Sequence, residues 1–207
     1  MVLLYYIKMD IRDNHFFVGI GGSAGTGKDT FAKMLKTEID SQRDSPRVGI
    51  EHFADELKRY FQDKMGNDLN TDFINPEKIS KDEKNLIRPL LVHFCEIIRP
   101  KTKGRFWREK LENNILNKYN QFKSIILIPD HRFAFYTEDE HLLFNKGLRF
   151  FLKRPGISPA NEVELENERY LIPLCQVIEL PDIDSSKYAK IIKDTAAKIA
   201  EGYNKWI

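Results

Sequence analysis

Gly22-Ser23-Ala24-Gly25-Thr26-Gly27-Lys28-Asp29-Thr30 decides the reading of this chain. Before it stands an apolar run, His15-Phe16-Phe17-Val18-Gly19-Ile20-Gly21, with the content of a buried strand. After it, Phe31, Leu35 and Ile39 recur at helical spacing over Phe31–Ile39. A glycine-rich turn between strand and helix brings backbone close to a ligand and aims unpaired N–H groups at it. The partial positive charge of the helix start favours an anion there. Lys28 adds a point charge for the outer phosphates. Strand, loop and helix together are the context that a working phosphate loop requires. A nucleoside triphosphate is the expected ligand, held by Gly22, Ala24, Gly25, Thr26, Gly27, Lys28, Asp29 and Thr30.

The usual loop carries Ser or Thr directly after the lysine, where the hydroxyl ligates Mg²⁺. Here Asp29 holds that place and the hydroxyl follows at Thr30. Gly-x-x-Gly-x-Gly-Lys-x-Thr resembles the loop of nucleoside monophosphate kinases, and Gly-Lys-Asp-Thr resembles in particular the deoxynucleoside monophosphate kinases of tailed phages. The resemblance implies ATP with Mg²⁺, and a role for Thr30 toward a donor phosphate or a metal-bound water. An acid at Asp29 is expected to cap the helix start.

Composition bounds the rest. The 207 residues fit one domain with a full core. Hydrophobic residues at 42% and charged residues at 31% are ordinary for a globular protein. Thirty-three Lys and Arg against 31 Asp and Glu leave a net charge of +2, too even for a general nucleic-acid binder. Cys95 and Cys175 lack metal-ligand spacing, so reduced thiols in a cytoplasmic setting are expected, the host cytoplasm if a phage encodes the chain. Met1–Ile7 is apolar but too short to span a bilayer and lacks the form of a secretory leader. Neither a nucleic acid nor a membrane is expected as partner; a homodimer is left open.

Apolar runs alternate with helical patterns, which predicts an α/β domain with helices covering both faces of a parallel sheet. After the first strand and helix, Arg47–Ala54 reads as a second strand and Asp55 as the cap of a helix carrying Leu57, Tyr60 and Phe61. Lys64–Lys84 is polar and reads as an exposed insertion. Leu86–Ile98 reads as a helix with Pro89 in its first turn, and Phe106–Tyr119 as another. Ser124–Ile128, the most hydrophobic run, is expected to be the central strand. Thr137-Glu138-Asp139-Glu140 has capping-box form. Leu148–Leu152 and Gln176–Leu180 supply further strands, and Lys187–Tyr203 a final helix. The family resemblance implies a three-layer α/β/α fold, five parallel strands in the order 2-3-1-4-5, an acceptor-binding helical region at 55–120 and a lid-like segment at 153–174.

It also implies roles. Asp130, in Pro129-Asp130-His131-Arg132-Phe133, would orient Mg²⁺ or its waters at the end of its strand, and Arg132 would project into the same crevice. Lys58 or Arg59 would meet the acceptor's phosphate. Arg88 and Arg99 would reach the monophosphate from the Arg88–Arg99 helix, where His93 stands near a base-reading position. Lys153, Arg154 and Arg169 lie in and around the lid-like segment, one of them being the expected lid residue, and Arg154 is assigned to ATP. The acidic run Asn161–Glu168 reads as a solvated helix. The expected activity is transfer of the γ-phosphoryl of Mg·ATP to a (deoxy)nucleoside monophosphate. Two alternatives stand beside it: a kinase of another small metabolite of the dephospho-coenzyme A type, and a non-catalytic nucleotide-binding protein.

Overall fold

The computed structural model describes residues 11–66, 81–119, 121–131 and 147–207. Its sheet has five parallel strands: β1 (His15–Gly22), β2 (Arg47–Ile50), β3 (Ser124–Ile128), β4 (Gly147–Lys153) and β5 (Gln176–Glu179). Their spatial order is β2-β3-β1-β4-β5, as expected. The central strand is therefore β1 and not the more hydrophobic β3. Burial on both faces, which β1 and β3 share, makes a strand continuously apolar; it does not say which strand lies in the middle.

Side chains alternate between two apolar layers. Phe16, Val18 and Ile20 of β1 and Ile125 and Leu127 of β3 meet α1 (Lys28–Asp40) and the last helix, Ser186–Trp206, through Phe31, Leu35, Ile39, Tyr188, Ile192 and Ile199. Phe17, Ile126 and Ile128 point the other way. They pack on Phe53 of α2 (Phe53–Phe61), Cys95 of α3 (Lys81–Thr102) and Trp107, Leu111, Ile115 and Tyr119 of α4 (Arg105–Tyr119). On that same side, Phe151 of β4 meets Leu171 of α5 (Glu162–Leu171). The last helix is then α6. Its N-terminus is capped by Ser185, whose hydroxyl accepts the Tyr188 N–H at 3.1 Å.

Several expectations are corrected. Strand β2 ends at Ile50, and α2 begins at Phe53 behind an extended His52. Asp55 therefore lies inside the first turn and is not the cap. The α3 helix starts at Lys81, which places Pro89 in its interior and makes Lys81–Lys84 helical. The backbone bond that proline removes is offset by burial of Ile87 and Leu91 against Phe61 and Leu57. Residues 67–80 of the expected insertion, the Thr137–Glu140 capping box, Arg132 and Phe133 lie outside the described residues, as does Met1–Ile7. Among the described residues no helix is long and apolar enough to cross a membrane.

Glu51, directly after β2, is a buried acid that the hydrophobic pattern does not reveal. At 3% exposure its carboxylate accepts hydrogen bonds from Asn114 Nδ2 (2.9 Å), Lys118 Nζ (2.6 Å) and Tyr119 Oη (2.7 Å). Burial, and then the neighbouring carboxylate, drive the Tyr119 hydroxyl far above its usual pKa, so it stays a donor. A side chain at Gly49 would begin 2.6 Å from that hydroxyl. This network fixes α4 to the end of β2.

Candidate functional site: a phosphate loop between two acidic flanks

The loop leaves β1 through Gly22 at φ 142° and enters α1 through Gly27 at φ 90°, the left-handed region that side chains avoid. A Cβ on Gly22 would also lie 2.8 Å from the Leu152 carbonyl oxygen. Within the turn, Thr26 Oγ1 donates to the Ser23 carbonyl at 2.9 Å and its N–H to the same oxygen at 3.3 Å. Lys28, 7% exposed, arches back over the loop and donates from Nζ to the carbonyls of Gly22 (2.7 Å) and Ser23 (2.8 Å). Thr30 is exposed in the first turn of α1. Gly25 and Ala24 form the tip, with the Ile157 side chain 3.8 Å from where a Cβ on Gly25 would stand. Arg154, just past β4, lays its guanidinium against Gly27, with Nη2 3.4 Å from the corresponding Cβ position. The structure thus brings Arg154 to the loop.

On one flank lies a charge cluster. Asp29 does not cap α1, because Gly27 is the N-cap and the Asp29 carboxylate turns outward to His52 Nε2 at 3.2 Å. His52 Nδ1 faces Asp55 at 3.3 Å, and Asp55 also accepts from Lys58 Nζ at 2.6 Å. Burial by itself would push the His52 pKa down. Its bonds to Asp29 and Asp55, with the charge of Asp130, outweigh that and lift it to about 10, so the ring is an imidazolium. Asp29 is held below the usual carboxylate range chiefly by the bond from His52. Asp55 is held far below it, because the bonds from His52 and Lys58 outweigh the upward push of burial.

Asp130 sits two residues past β3, whose Ile128 is in register with Gly19, so it lies beside the start of the loop. Its carboxylate accepts the N–H groups of Phe53 (3.2 Å) and Ala54 (2.8 Å). A strand-terminal acid thereby caps α2 from a distance, in place of the local cap expected at Asp55. Hard oxygens at Thr30 and Asp130 suit Mg²⁺ by donor chemistry. Among the described residues no cluster of three or more His, Cys, Asp or Glu is arranged as a metal cage.

On the other flank stands α5, and here the sequence misled. The acidic run is not a solvated face throughout. Glu164 Oε2 accepts the Ala24 N–H of the loop tip at 3.4 Å and the Ala160 N–H at 3.0 Å. Glu168 meets Ser23 Oγ at 3.5 Å and Lys153 Nζ at 3.1 Å. A small, partly open pocket lies between Gly22, Ser23, Phe151 and this helix.

The expected acceptor residues are less converged. Lys58 is tied to Asp55, and Arg59 Nη1 donates to Glu56 on its own helix. Arg88 is exposed and Arg99 half-buried on α3. His93 turns outward with its side chain 73% exposed, 3.6 Å from Glu96 and on the same helical stripe as exposed Leu86, Leu90 and Ile97. Arg169 is exposed at the end of α5. His52, Glu164 and Glu168 are the residues that sequence reasoning missed. A histidine three places before Asp55, and glutamates spaced i, i+4, were the only signals.

No protein-family model and no curated protein matches this chain. Among solved structures, a shikimate kinase from Bacteroides thetaiotaomicron aligns with a TM-score of 0.42 at 13% identity, covering 90% of this chain and 98% of that one. A gluconokinase from Sinorhizobium meliloti 1021 aligns with a TM-score of 0.44 at 10% identity, covering 91% and 95%. Likeness at this level carries no argument about substrate. The fold assignment rests on the strand order and on the loop at the end of the central strand.

Proposed function

We propose that this chain is an ATP-dependent phosphotransferase that moves the γ-phosphoryl group onto a (deoxy)nucleoside 5′-monophosphate, giving two diphosphates. The observation that carries the reading is the loop itself. Lys28 and the amides at the start of α1 converge at the carboxyl end of β1, where two positive-φ glycines keep the backbone open to an anion. Phosphoryl transfer asks for alignment and charge neutralisation more than for covalent help. Lys28, released from its two carbonyls, would neutralise the transferred group, with Arg154 beside Gly27 and Arg132 contributing in the same sense. Arginine suits this because its planar fork pairs with two phosphate oxygens at once.

Thr30 and Asp130, the latter through water, would hold Mg²⁺. The ion would supply charge neutralisation across the donor phosphates. Asp130 would do this while its two oxygens hold the start of α2, which ties the metal's neighbourhood to the helix bearing Lys58 and Arg59. Those two, with Arg88 and Arg99, are the cations we assign to the acceptor phosphate; His93, on the exposed face, is assigned to the base least directly. The acceptor phosphate is already an anion at neutral pH, so no general base is required. The helical region at 55–120 would carry the acceptor site, and 153–174, with α5 inside it, would serve as the lid. The deoxynucleotide class follows from the Gly-Lys-Asp-Thr resemblance.

The test is ADP release from Mg·ATP against a panel of deoxy- and ribonucleoside monophosphates, with dephospho-coenzyme A as an added arm. Stimulation by a monophosphate, reduced on the order of 100-fold or more in Lys28→Ala, is the expected result. A panel in which dephospho-coenzyme A alone responds replaces the acceptor. A flat panel with ATP binding intact sinks the kinase reading.

A further inference from the structure

Four residues of α5, Glu164, Asn167, Glu168 and Leu171, form one stripe at i, i+3, i+4 and i+7. The stripe does not treat its two ends alike. Leu171, 2% exposed, is anchored on Phe151 with Ile172 and Cys175 packed around them. Toward the N-terminus the apolar contact gives way to carboxylates laid on the phosphate loop. Glu164 takes the Ala24 N–H at 3.4 Å, and Glu168 takes the Ser23 hydroxyl at 3.5 Å. Both bonds are at the long end of the range, where a hydrogen bond is weak. Asn167 between them is 6% exposed, and its Oδ1 has no hydrogen-bond partner among the described residues. The chain leading into α5 passes through Gly156 at φ 78°, in open space.

A carboxylate and a phosphate oxygen seek the same donors: backbone N–H groups at a helix-leading loop, in a field that favours negative charge. They cannot share one N–H, and two anions within a few ångströms repel. We propose that α5 is an internal competitor of the nucleotide: Glu164 and Glu168 hold the phosphate loop in place of phosphate, and a triphosphate binds by displacing the N-terminal turns of α5 about the Phe151–Leu171 anchor. The inference rests on the loop being a triphosphate site. It adds that the lid helix opposes binding at the phosphates rather than only enclosing them. Glu164 also takes the Ala160 N–H at 3.0 Å, within the segment that moves, and Glu168 meets Lys153 Nζ at 3.1 Å, a contact that the displacement gives up.

The experiment compares binding of inorganic tripolyphosphate and Mg·ATP by calorimetry across wild type, Glu164→Gln, Glu168→Gln, the double variant, Glu166→Gln and Lys28→Ala. Glu166 lies on the exposed side of α5 and controls for net charge. The double variant is expected to bind tripolyphosphate about tenfold more tightly than wild type, with Glu166→Gln unchanged within about twofold. Amide exchange in wild type is the second readout, and it should quicken in the first turns of α5 when tripolyphosphate binds. Three results overturn the proposal. They are unchanged or weaker binding in the double variant, equal tightening by Glu166→Gln, and α5 amides that slow or hold constant on binding. Loss of all binding in every variant, the double one included, overturns the phosphate-loop reading itself. Binding that Lys28→Ala abolishes keeps that reading, whatever the glutamates do.

Discussion

The two flanks of the phosphate loop are both acidic, yet they are built to different standards. On the α2 side, Asp130 caps two amides at 3.2 and 2.8 Å, Lys58 meets Asp55 at 2.6 Å, and an imidazolium joins Asp29 to Asp55. Glu51 behind them binds three donors between 2.6 and 2.9 Å. Asp55, Asp130 and Glu51 each have a bond of 2.8 Å or less to a cation or a donor, and Asp29 meets the imidazolium at 3.2 Å. On the α5 side the loop contacts stretch to 3.4 and 3.5 Å, and a pocket lies beneath them. The α5 glutamates have closer partners of their own, Lys153 for Glu168 at 3.1 Å and the Ala160 N–H for Glu164 at 3.0 Å, so what is long on this flank is the reach to the loop. The length of the bonds to the loop, rather than the number of acids, separates a structural acidic cluster from one that can let go.

That comparison can be broken in order of effect. Glu51→Ala is expected to cost most, about 3 kcal/mol of unfolding free energy, because it strands the Tyr119 hydroxyl in the interior and takes a partner from Asn114 and Lys118. Urea denaturation reads it. His52→Ala should cost about 1 kcal/mol, because Asp29 is 73% exposed and Asp55 keeps Lys58. Its pH signature is sharper. The folded pKa of about 10 lies above the unfolded value of about 6.5, so the stabilisation is complete below pH 6.5 and is lost as pH rises toward 10. The melting temperature of wild type should fall across that window, and the His52→Ala curve should be flatter. Asp130→Ala should cost about 1 kcal/mol, the worth of a helix cap, with the exchange gain confined to the start of α2. Glu164→Gln should change stability by less than about 0.5 kcal/mol. A loss of 2 kcal/mol there would show that the α5 flank is as fixed as the other.

The sequence carried the loop, the two layers and the strand pattern, because glycine spacing and apolar periodicity are local signals. Lys28 could be placed from them; Arg154 is assigned to ATP only through the family resemblance. What it did not carry was direction and reach. Glu164 and Glu168 look like any solvated glutamates until α5 has a rotation, and rotation is set by Leu171 seeking Phe151. Asp130 caps a helix that begins more than seventy residues earlier in the chain, which no window of sequence displays. Pro89 misled for the opposite reason: a sound local rule about helix starts was overruled by tertiary burial of Ile87 and Leu91.

The strand register has a consequence on the ribosome. His15 of β1 pairs with Ser124, and Gly22 with Leu152, while among the described residues no strand nearer in sequence touches β1. The central strand is therefore made about a hundred residues before the first strand it pairs with. At a synthesis rate of about 5–20 residues per second, the run Phe16-Phe17-Val18 waits on the order of 5–20 s for its first neighbour. During that interval it is an apolar, unpaired edge, the kind of segment that nascent-chain chaperones cover. Yield in a chaperone-depleted translation system should therefore depend on β1 more steeply than on any of the flanks that surround the finished loop.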